Sequence, residues 1–471
     1  MDYILLEELI KQKHKKFEEI SDKIWEYAES GYKEVNSSAL QRQVMSDEGF
    51  TVENGIGGIT TAFRASFGSG KPVIAFLGEF DALPELSQKA DVTYKEPLLE
   101  GGYGHGCGHH ILGTACMQAC VAIKDYLLQN YISGTVIYYG CPAEEGGAGK
   151  AFMVREGCFD DCDVCLAWHP YSVTIGSISS LANVRVYYNF QGISSHAAVS
   201  PHLGRSALDA VELMNVGVNY LREHIIPEAR IHYAVTNSGG NAPNVVQAKA
   251  QVLYSIRAPK NEQVYELLDR VNAVAQGAAM MTGTKVNIQI VSAYADVVQN
   301  RTLDQLAFKH INEIYPIKYT DEELEYAKVF HDIGNKEECL MYQEMAKRLY
   351  GERGEGLFKG AMADAVFPPN PQKMGSTDVG DVSWNVPTTW FSGACFALGT
   401  PAHSWLVVAQ GKSKIAHGGM TAAATVMARC AIDILKQPQI ALQAEMDLKE
   451  ALDGKVYQSI IPKETKVGII E

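Results

Sequence analysis

Up to about residue 183 the chain alternates helical periodicity with short, continuous apolar runs. Residues 4 to 30 carry helical spacing. Val73-Ile74-Ala75-Phe76-Leu77 is apolar at every position, as a strand buried on both faces must be. Residues 109 to 129 again read as a helix, and Thr135-Val136-Ile137-Tyr138-Tyr139 and Asp163-Val164-Cys165-Leu166-Ala167-Trp168 as two further strands. Uninterrupted apolar strands separated by helices predict an α/β domain: a mostly parallel sheet with helices on both faces.

From about 183 the period changes. Val184, Val186, Tyr188 and Phe190 alternate with polar residues, and Ala207, Leu208, Val211, Met214 and Val218 follow at helical spacing. Ile231 to Thr236 and Val245 to Arg257 alternate as strands, residues 261 to 282 form a second helix, and Val286, Ile288 and Ile290 mark a last strand. The order β-α-β-β-α-β is the split βαβ, ferredoxin-like α+β unit with one open face. The expected organisation is a catalytic domain in two pieces, 1–182 and 298–471, interrupted by an inserted domain at 183–297. After about 300 the chain returns to helices, a Gly/Pro-rich stretch from Gly351 to Gly375, a strand near Thr388 to Phe391, and a helix from about 418 to 436.

A chain of 471 residues exceeds what one hydrophobic core supports, in keeping with that division. The net charge of −14 and the lack of Lys/Arg runs argue against nucleic acid and anionic membrane as partners. The acidic amphipathic start is unlike a signal peptide, and no apolar run approaches the ~20 residues that span a bilayer. The ten cysteines are unevenly spread, several within core segments such as Ala115-Cys116 and Phe391 to Cys395. Reduced thiols of a cytoplasmic enzyme fit that pattern better than a disulfide framework.

Against this background the polar residues at strand ends stand out. Glu79 and Asp81 follow the first apolar strand, Glu144 and Glu145 follow the second, and His169 ends the third. Ligands of open α/β sheets bind beyond the carboxyl ends of the strands, so these clusters can converge. Cys107 and His109 sit in the Gly-rich turn Gly104 to His110, where a helix N-terminus favours the thiolate. That turn could be a phosphate loop or a plain turn, but three histidines and a cysteine within residues 105–110 favour a metal. Neighbours in extended chain point apart, so Glu145 is expected as ligand and Glu144 as general base on a metal-bound water. Asp81 is a candidate to orient a histidine, or a structural loop residue. His403 and His417 occupy similar loops and spacing does not choose between them. Cys158, Cys162 and Cys165 lack the spacing and the fourth ligand of a structural zinc site.

Several ordered motifs resemble the M20 metallopeptidase family, and within it the amidohydrolase branch of bacterial N-acyl-amino-acid hydrolases and plant auxin-conjugate hydrolases. They are Phe80 to Pro84, Gly106 to His109, Pro142 to Gly147, Ala167 to Pro170, Ser195 to Ala198, Asp378 to Ser383 and Leu398 to Trp405. The resemblance implies two divalent metal ions, Mn2+ or Zn2+, held by Cys107, His109, Glu145, His169 and His403, with Glu144 as base. It favours His403 over His417. It also implies that the inserted domain is a lid that dimerises, that His196 reaches the partner subunit's active site, and that Asn244 and Arg257 bind substrate. One departure is His110, where much of this branch has Asp or Asn; an extra imidazole there would retune the site or compete as a ligand. The stretch from about 315 to 375 carries none of these motifs.

The expectation is thus a metallohydrolase that cleaves the amide bond of N-acyl or aryl-amidated amino acids. The alternatives are a dipeptidase on the same scaffold or a non-catalytic subunit that depends on a second polypeptide. A homodimer formed through the lid and a possible second hydrolase subunit are the expected partners.

Overall fold

The structure, a computed structural model, describes residues 3 to 370 and 375 to 468. In chain order the strands are β1 (Thr51–Asn54), β2 (Phe63–Ser69), β3 (Val73–Glu79), β4 (Gly134–Cys141), β5 (Val164–Tyr171), β6 (Thr174–Ile175), β7 (Ala182–Gln191), β8 (Arg230–Asn237), β9 (Lys249–Ala258), β10 (Lys285–Tyr294), β11 (Val366–Phe367) and β12 (Thr388–Ala394). Two compact units contain them. The first comprises residues 3–179, 298–370 and 382–457. The second comprises 180–297, together with 375–381 and 458–468.

The first unit is built on a sheet of order β1-β2-β4-β3-β5-β12-β6-β11. Its central strands β4, β3, β5 and β12 are mutually parallel, so their carboxyl ends share one edge. All seven residues of β3 are buried, which requires cover on both faces. The helices His109–Asn130 and Lys414–Lys436 pack on this sheet and against each other, with Ile4–Tyr27 against both. The apolar faces of all three helices merge into one core with Ile74, Phe76, Val136 and Leu166 of the strands.

Two of these helices correct the expectation that no segment could cross a bilayer. His109–Asn130 and Lys414–Lys436 are long and apolar enough by length and composition alone. Both are core helices, with 89% and 78% of their most apolar windows buried inside the protein. A helix buried nearly all round has no polar face to break its hydropathy.

Strand β5 runs past His169 and Pro170 to Tyr171 rather than stopping at Trp168. Pro170 is tolerated because β3 pairs with β5 only as far as Leu166, leaving β12 as the one neighbour beyond that point. The unanchored stretch after 315 forms the helices Asp321–Ile333 and Lys336–Tyr350 and the short strand β11.

The second unit is a four-stranded antiparallel sheet of order β10-β7-β9-β8. The helices Ala207–Leu221 and Asn261–Thr282 complete the β-α-β-β-α-β order. Val184, Val186, Tyr188 and Phe190 of β7 and Ala250, Val252, Tyr254 and Ile256 of β9 are buried, while Arg185, Tyr187, Ser255 and Arg257 on the opposite face are half-buried. β9 begins at Lys249, later than the alternation from Val245 suggested, because residues 240–245 are a turn that joins the strand register only through a bridge between Val245 and His196.

Candidate active site

At the carboxyl edge of the first sheet the chain leaves β3 through Glu79-Phe80-Asp81 and β4 through Pro142-Ala143-Glu144-Glu145, while β5 delivers His169. Pro142 has no N–H to continue the ladder, and Ala143 turns the chain through a left-handed conformation, φ 59°. His109 opens its helix directly after Gly108, φ 75°. A Cβ on Gly108 would lie 2.7 Å from Cγ of Pro170, so only glycine lets this turn approach β5. His403, φ 55°, is fixed by its backbone N–H, which donates to the carbonyl of Gly106 at 2.9 Å.

The side chains meet in two groups that share one thiol. Ligand atoms of Cys107, His109 and His169 lie within 4.8 Å of one another, and so do those of Cys107, Glu145 and His403. Cys107 Sγ is 3.3 Å from His169 Nε2, and Glu145 Oε1 is 3.3 Å from His403 Nε2. A third group, within the same limit, comprises Glu79, His109 and Glu144.

Asp81 organises the centre. Its Oδ1 accepts from His109 Nδ1 at 2.9 Å, and its Oδ2 accepts from the backbone N–H of Glu145 at 2.8 Å. An ionised carboxylate only accepts, so the proton sits on Nδ1 and the buried Nε2, which makes no hydrogen bond, is left for an electrophile. Glu145 Oε1 is likewise buried without a hydrogen bond. Orphaned nitrogen and oxygen donors around a thiol are the donor set of a divalent transition metal, and these residues fit one.

Electrostatics point the same way. Burial alone would raise the Cys107 thiol, but the His169 and His109 imidazoles hold it well below the usual range. Burial would lower His109, yet Cys107 and Asp81 hold it well above its ordinary value. Burial, with Cys107 nearby, pushes Glu145 up to about 7, and the contacts with Cys107 and Glu145 raise His403 to about 11. A cluster of anions that retains protons this strongly is one that cations can displace.

A family model, peptidase family M20/M25/M40, matches residues 75–410. The chain is 42% identical over 469 residues to a p-aminobenzoyl-glutamate hydrolase subunit of Escherichia coli (strain K12), covering 98% of each chain. The chain belongs to peptidase family M20. Among solved structures, a putative aminohydrolase from methicillin-resistant Staphylococcus aureus superposes with a TM-score of 0.62 at 17% identity, covering 92% of this chain and 100% of its own. A Bacillus subtilis protein described as a dinuclear metal binding peptidase from the M20 family gives 0.54 at 16% identity, covering 90% and 99%. The M20 chain is therefore a metallohydrolase that acts on carbon–nitrogen amide bonds.

The remaining histidines of the motif loop have other partners in this M20 enzyme. His110 Nε2 donates to the carbonyl of Gly411 at 2.9 Å and His105 Nε2 to that of Ile24 at 3.0 Å. Burial holds His105 down to about 4 and His110 well below its usual range, so both are neutral structural rings, and His110 joins neither Cys107 group. His417 contacts Asp22 at 2.9 Å and also stands apart.

His196, Asn244 and Arg257 lie in the second unit. His196 is exposed, and its Nδ1 accepts the backbone N–H groups of Ala198 and Val199, each at 3.2 Å. That leaves the proton on Nε2, which is a donor. Asn244 is exposed, and its carbonyl accepts from the N–H of Ala197 at 3.0 Å. Arg257 is half-buried, and burial, reinforced by Arg185, lowers the pKa of its guanidinium.

Two residues of the M20 site are not assigned by sequence reasoning. Glu79 is visible at the strand end without a role, and Lys150, buried and 2.7 Å from Glu79 Oε1, belongs to none of the motifs. A lysine inside the small-residue run Gly146 to Ala151 is the signal that could have found it.

Proposed function

We propose that this enzyme hydrolyses the amide bond of N-acyl or aryl-amidated amino acids of the p-aminobenzoyl-glutamate type, using two divalent ions, Mn2+ or Zn2+. The observation that carries this reading is the pair of three-residue groups joined at Cys107 with Glu144 beside them, in a chain so similar to a p-aminobenzoyl-glutamate hydrolase subunit. Cys107, His109 and His169 would hold one ion, and Glu145 and His403, with Cys107 shared, the other. Bound divalent ions supply Lewis acidity that acidifies the attacking water and polarises the scissile carbonyl.

The protein's own groups do the rest. Glu144 takes the proton from the attacking water and returns it to the leaving amine. Asp81 keeps His109 in the tautomer whose Nε2 is free. His196 of the partner subunit, a donor at Nε2, steadies the oxygen of the tetrahedral carbon. Arg257 reads the substrate carboxylate as a planar fork, and Asn244 hydrogen-bonds the amide portion.

A homodimer through the second unit is supported by exposed Leu213, Val216 and Tyr220 on the helix Ala207–Leu221 and by Tyr233 and Val235 on the edge strand β8. A second polypeptide is a further candidate partner, since the Escherichia coli relative is itself a hydrolase subunit. A cytoplasmic location suits ten cysteines that are all free thiols.

The test is hydrolysis of p-aminobenzoyl-glutamate, N-acyl amino acids and dipeptides by the pure chain, with Mn2+ and with chelator. Chelator-sensitive turnover of the aroyl or acyl substrates is expected. Preference for dipeptides would favour a dipeptidase, and inactivity on all three a partner-dependent subunit. Glu144→Gln should lower kcat at least about 100-fold with bound metal unchanged; retained turnover would remove Glu144 as the base.

A further inference from the structure

Glu79 is 3% exposed and Lys150 fully buried, yet both are charged. Lys150 Nζ lies 2.7 Å from Glu79 Oε1, which accounts for one carboxylate oxygen. The other, Oε2, lies 3.3 Å from His109 Nε2. That nitrogen is the one left free once Asp81 has taken Nδ1. Two donors that face the same buried space, with Glu144 completing a group within 4.8 Å, form a place for a cation. Lys150 engages only one of the two oxygens, and the second is aimed at the ring nitrogen that a ligated His109 presents to its ion.

We infer that Glu79 is a metal ligand of this site: Oε2 joins His109 Nε2 on the ion that His109 holds, while Lys150 fixes Oε1. Glu79 thereby adds a carboxylate to a Cys/His set and makes that position better suited to a hard divalent ion such as Mn2+ than thiol and imidazoles alone would be. The inference rests on the metal reading above and names one more group in it. Lys150 is a positioning residue, acting through Glu79.

The experiment measures metal binding, independently of turnover. The metal-free full-length chain is titrated with Co2+, following thiolate-to-cobalt absorption from Cys107, and metal retained after dialysis is counted by atomic emission. Glu79→Asp keeps the charge opposite Lys150 but withdraws the carboxylate by one methylene. The double variant Glu79→Gln/Lys150→Met removes the pair together and leaves no lone buried charge. Both are expected to bind one of two ions at least about tenfold more weakly than wild type and to shift the cobalt spectrum. Wild-type affinity, stoichiometry and spectrum in whichever variant folds would overturn the role of Glu79 while leaving the metal reading intact. Failure of the wild-type chain to bind Co2+ at all would instead overturn the metal reading, and this inference with it.

Discussion

Glu34 offers the sharpest test of how the base-bearing turn is supported. Its side chain is fully buried; Oε1 accepts the backbone N–H of Ala143 at 2.8 Å and Oε2 the hydroxyl of Thr61 at 3.0 Å. Around it, Tyr32 Oη donates to the carbonyl of Gly147 at 2.6 Å, and a Cβ on Gly31 would meet Cβ of Ala143 at 3.0 Å. Residues 28–34 therefore cradle the left-handed turn that carries Glu144 and Glu145. Burial, reinforced by the nearby Asp81 carboxylate, pushes Glu34 from 4.5 up to about 8. The folded state then holds a proton that the unfolded chain releases near 4.5. A raised pKa adds stability that is complete below the unfolded value and is lost as pH rises through the folded one. The slope is at most about 1.4 kcal/mol per pH unit, roughly 5 kcal/mol over the whole window from 4.5 to about 8. Glu34→Gln keeps an oxygen for Ala143 and an amide for Thr61 but does not titrate. Urea unfolding of the metal-free protein at pH 5, 6, 7 and 8 should show wild type losing stability relative to Glu34→Gln by several kcal/mol across the series. Parallel curves for the two proteins would refute the reasoning, because Glu34 would then be ionised throughout and compensated by another group.

Three further outcomes follow from the site. Asp81→Asn removes the charge behind His109 and should weaken metal binding about 10–100-fold with the fold retained, read by Co2+ titration. Gly108→Ala forces a Cβ against Pro170 at positive φ and should cost about 1–2 kcal/mol or more, read as a fall in the thermal midpoint with a matching loss of metal affinity. In metal-free protein at pH 6, iodoacetamide should alkylate Cys107 ahead of Cys158, since imidazoles depress the first thiol while burial raises the second to about 11. Mass spectrometry of tryptic peptides reads the order, and bound Zn2+ should protect Cys107.

Much of the fold was legible because its signals are local. Val73 to Leu77 and Val136 to Tyr139 are apolar at every position only because both faces are covered, and β7 alternates because one face is not. The functional side chains at the strand ends were legible for the same reason: an apolar run that gives way to polar residues marks where a strand's carboxyl end stands, and at β4 Pro142 marks the stop as well. What was not legible depends on partners remote in sequence. Glu34 meets Ala143 across 109 residues, and nothing in the stretch from Gly31 to Val35 separates it from an ordinary helix-entry acid. Lys150, on the short helix Gly149–Arg155, can be buried because Glu79, at the end of β3, stands opposite it. His110 looked like a rival ligand by adjacency, yet its ring turns towards Gly411, 301 residues on.

Charge balance links these separate features. Cys107 as thiolate, Glu79, Asp81, Glu144 and Glu145 bring five formal negative charges to one edge of the sheet, against the ammonium of Lys150. With the histidines neutral, as ligation requires, four negative charges remain, and two divalent ions match them. A single ion would leave the cluster to recruit protons, and the raised values of Glu145, His109 and His403 are what that recruitment looks like in the metal-free chain. Glu34 stands at the boundary of the same cluster with no ammonium and no ligand role. Ionising it would add a charge with nothing to balance it, which is why it keeps its proton near neutral pH. Its titration should therefore respond to metal: two bound ions draw charge from Asp81 through His109 and lower the pH at which Glu34 ionises. The stability gap between wild type and Glu34→Gln should accordingly narrow in metal-loaded protein, and a gap unchanged by metal would break the electrostatic link between Glu34 and the site.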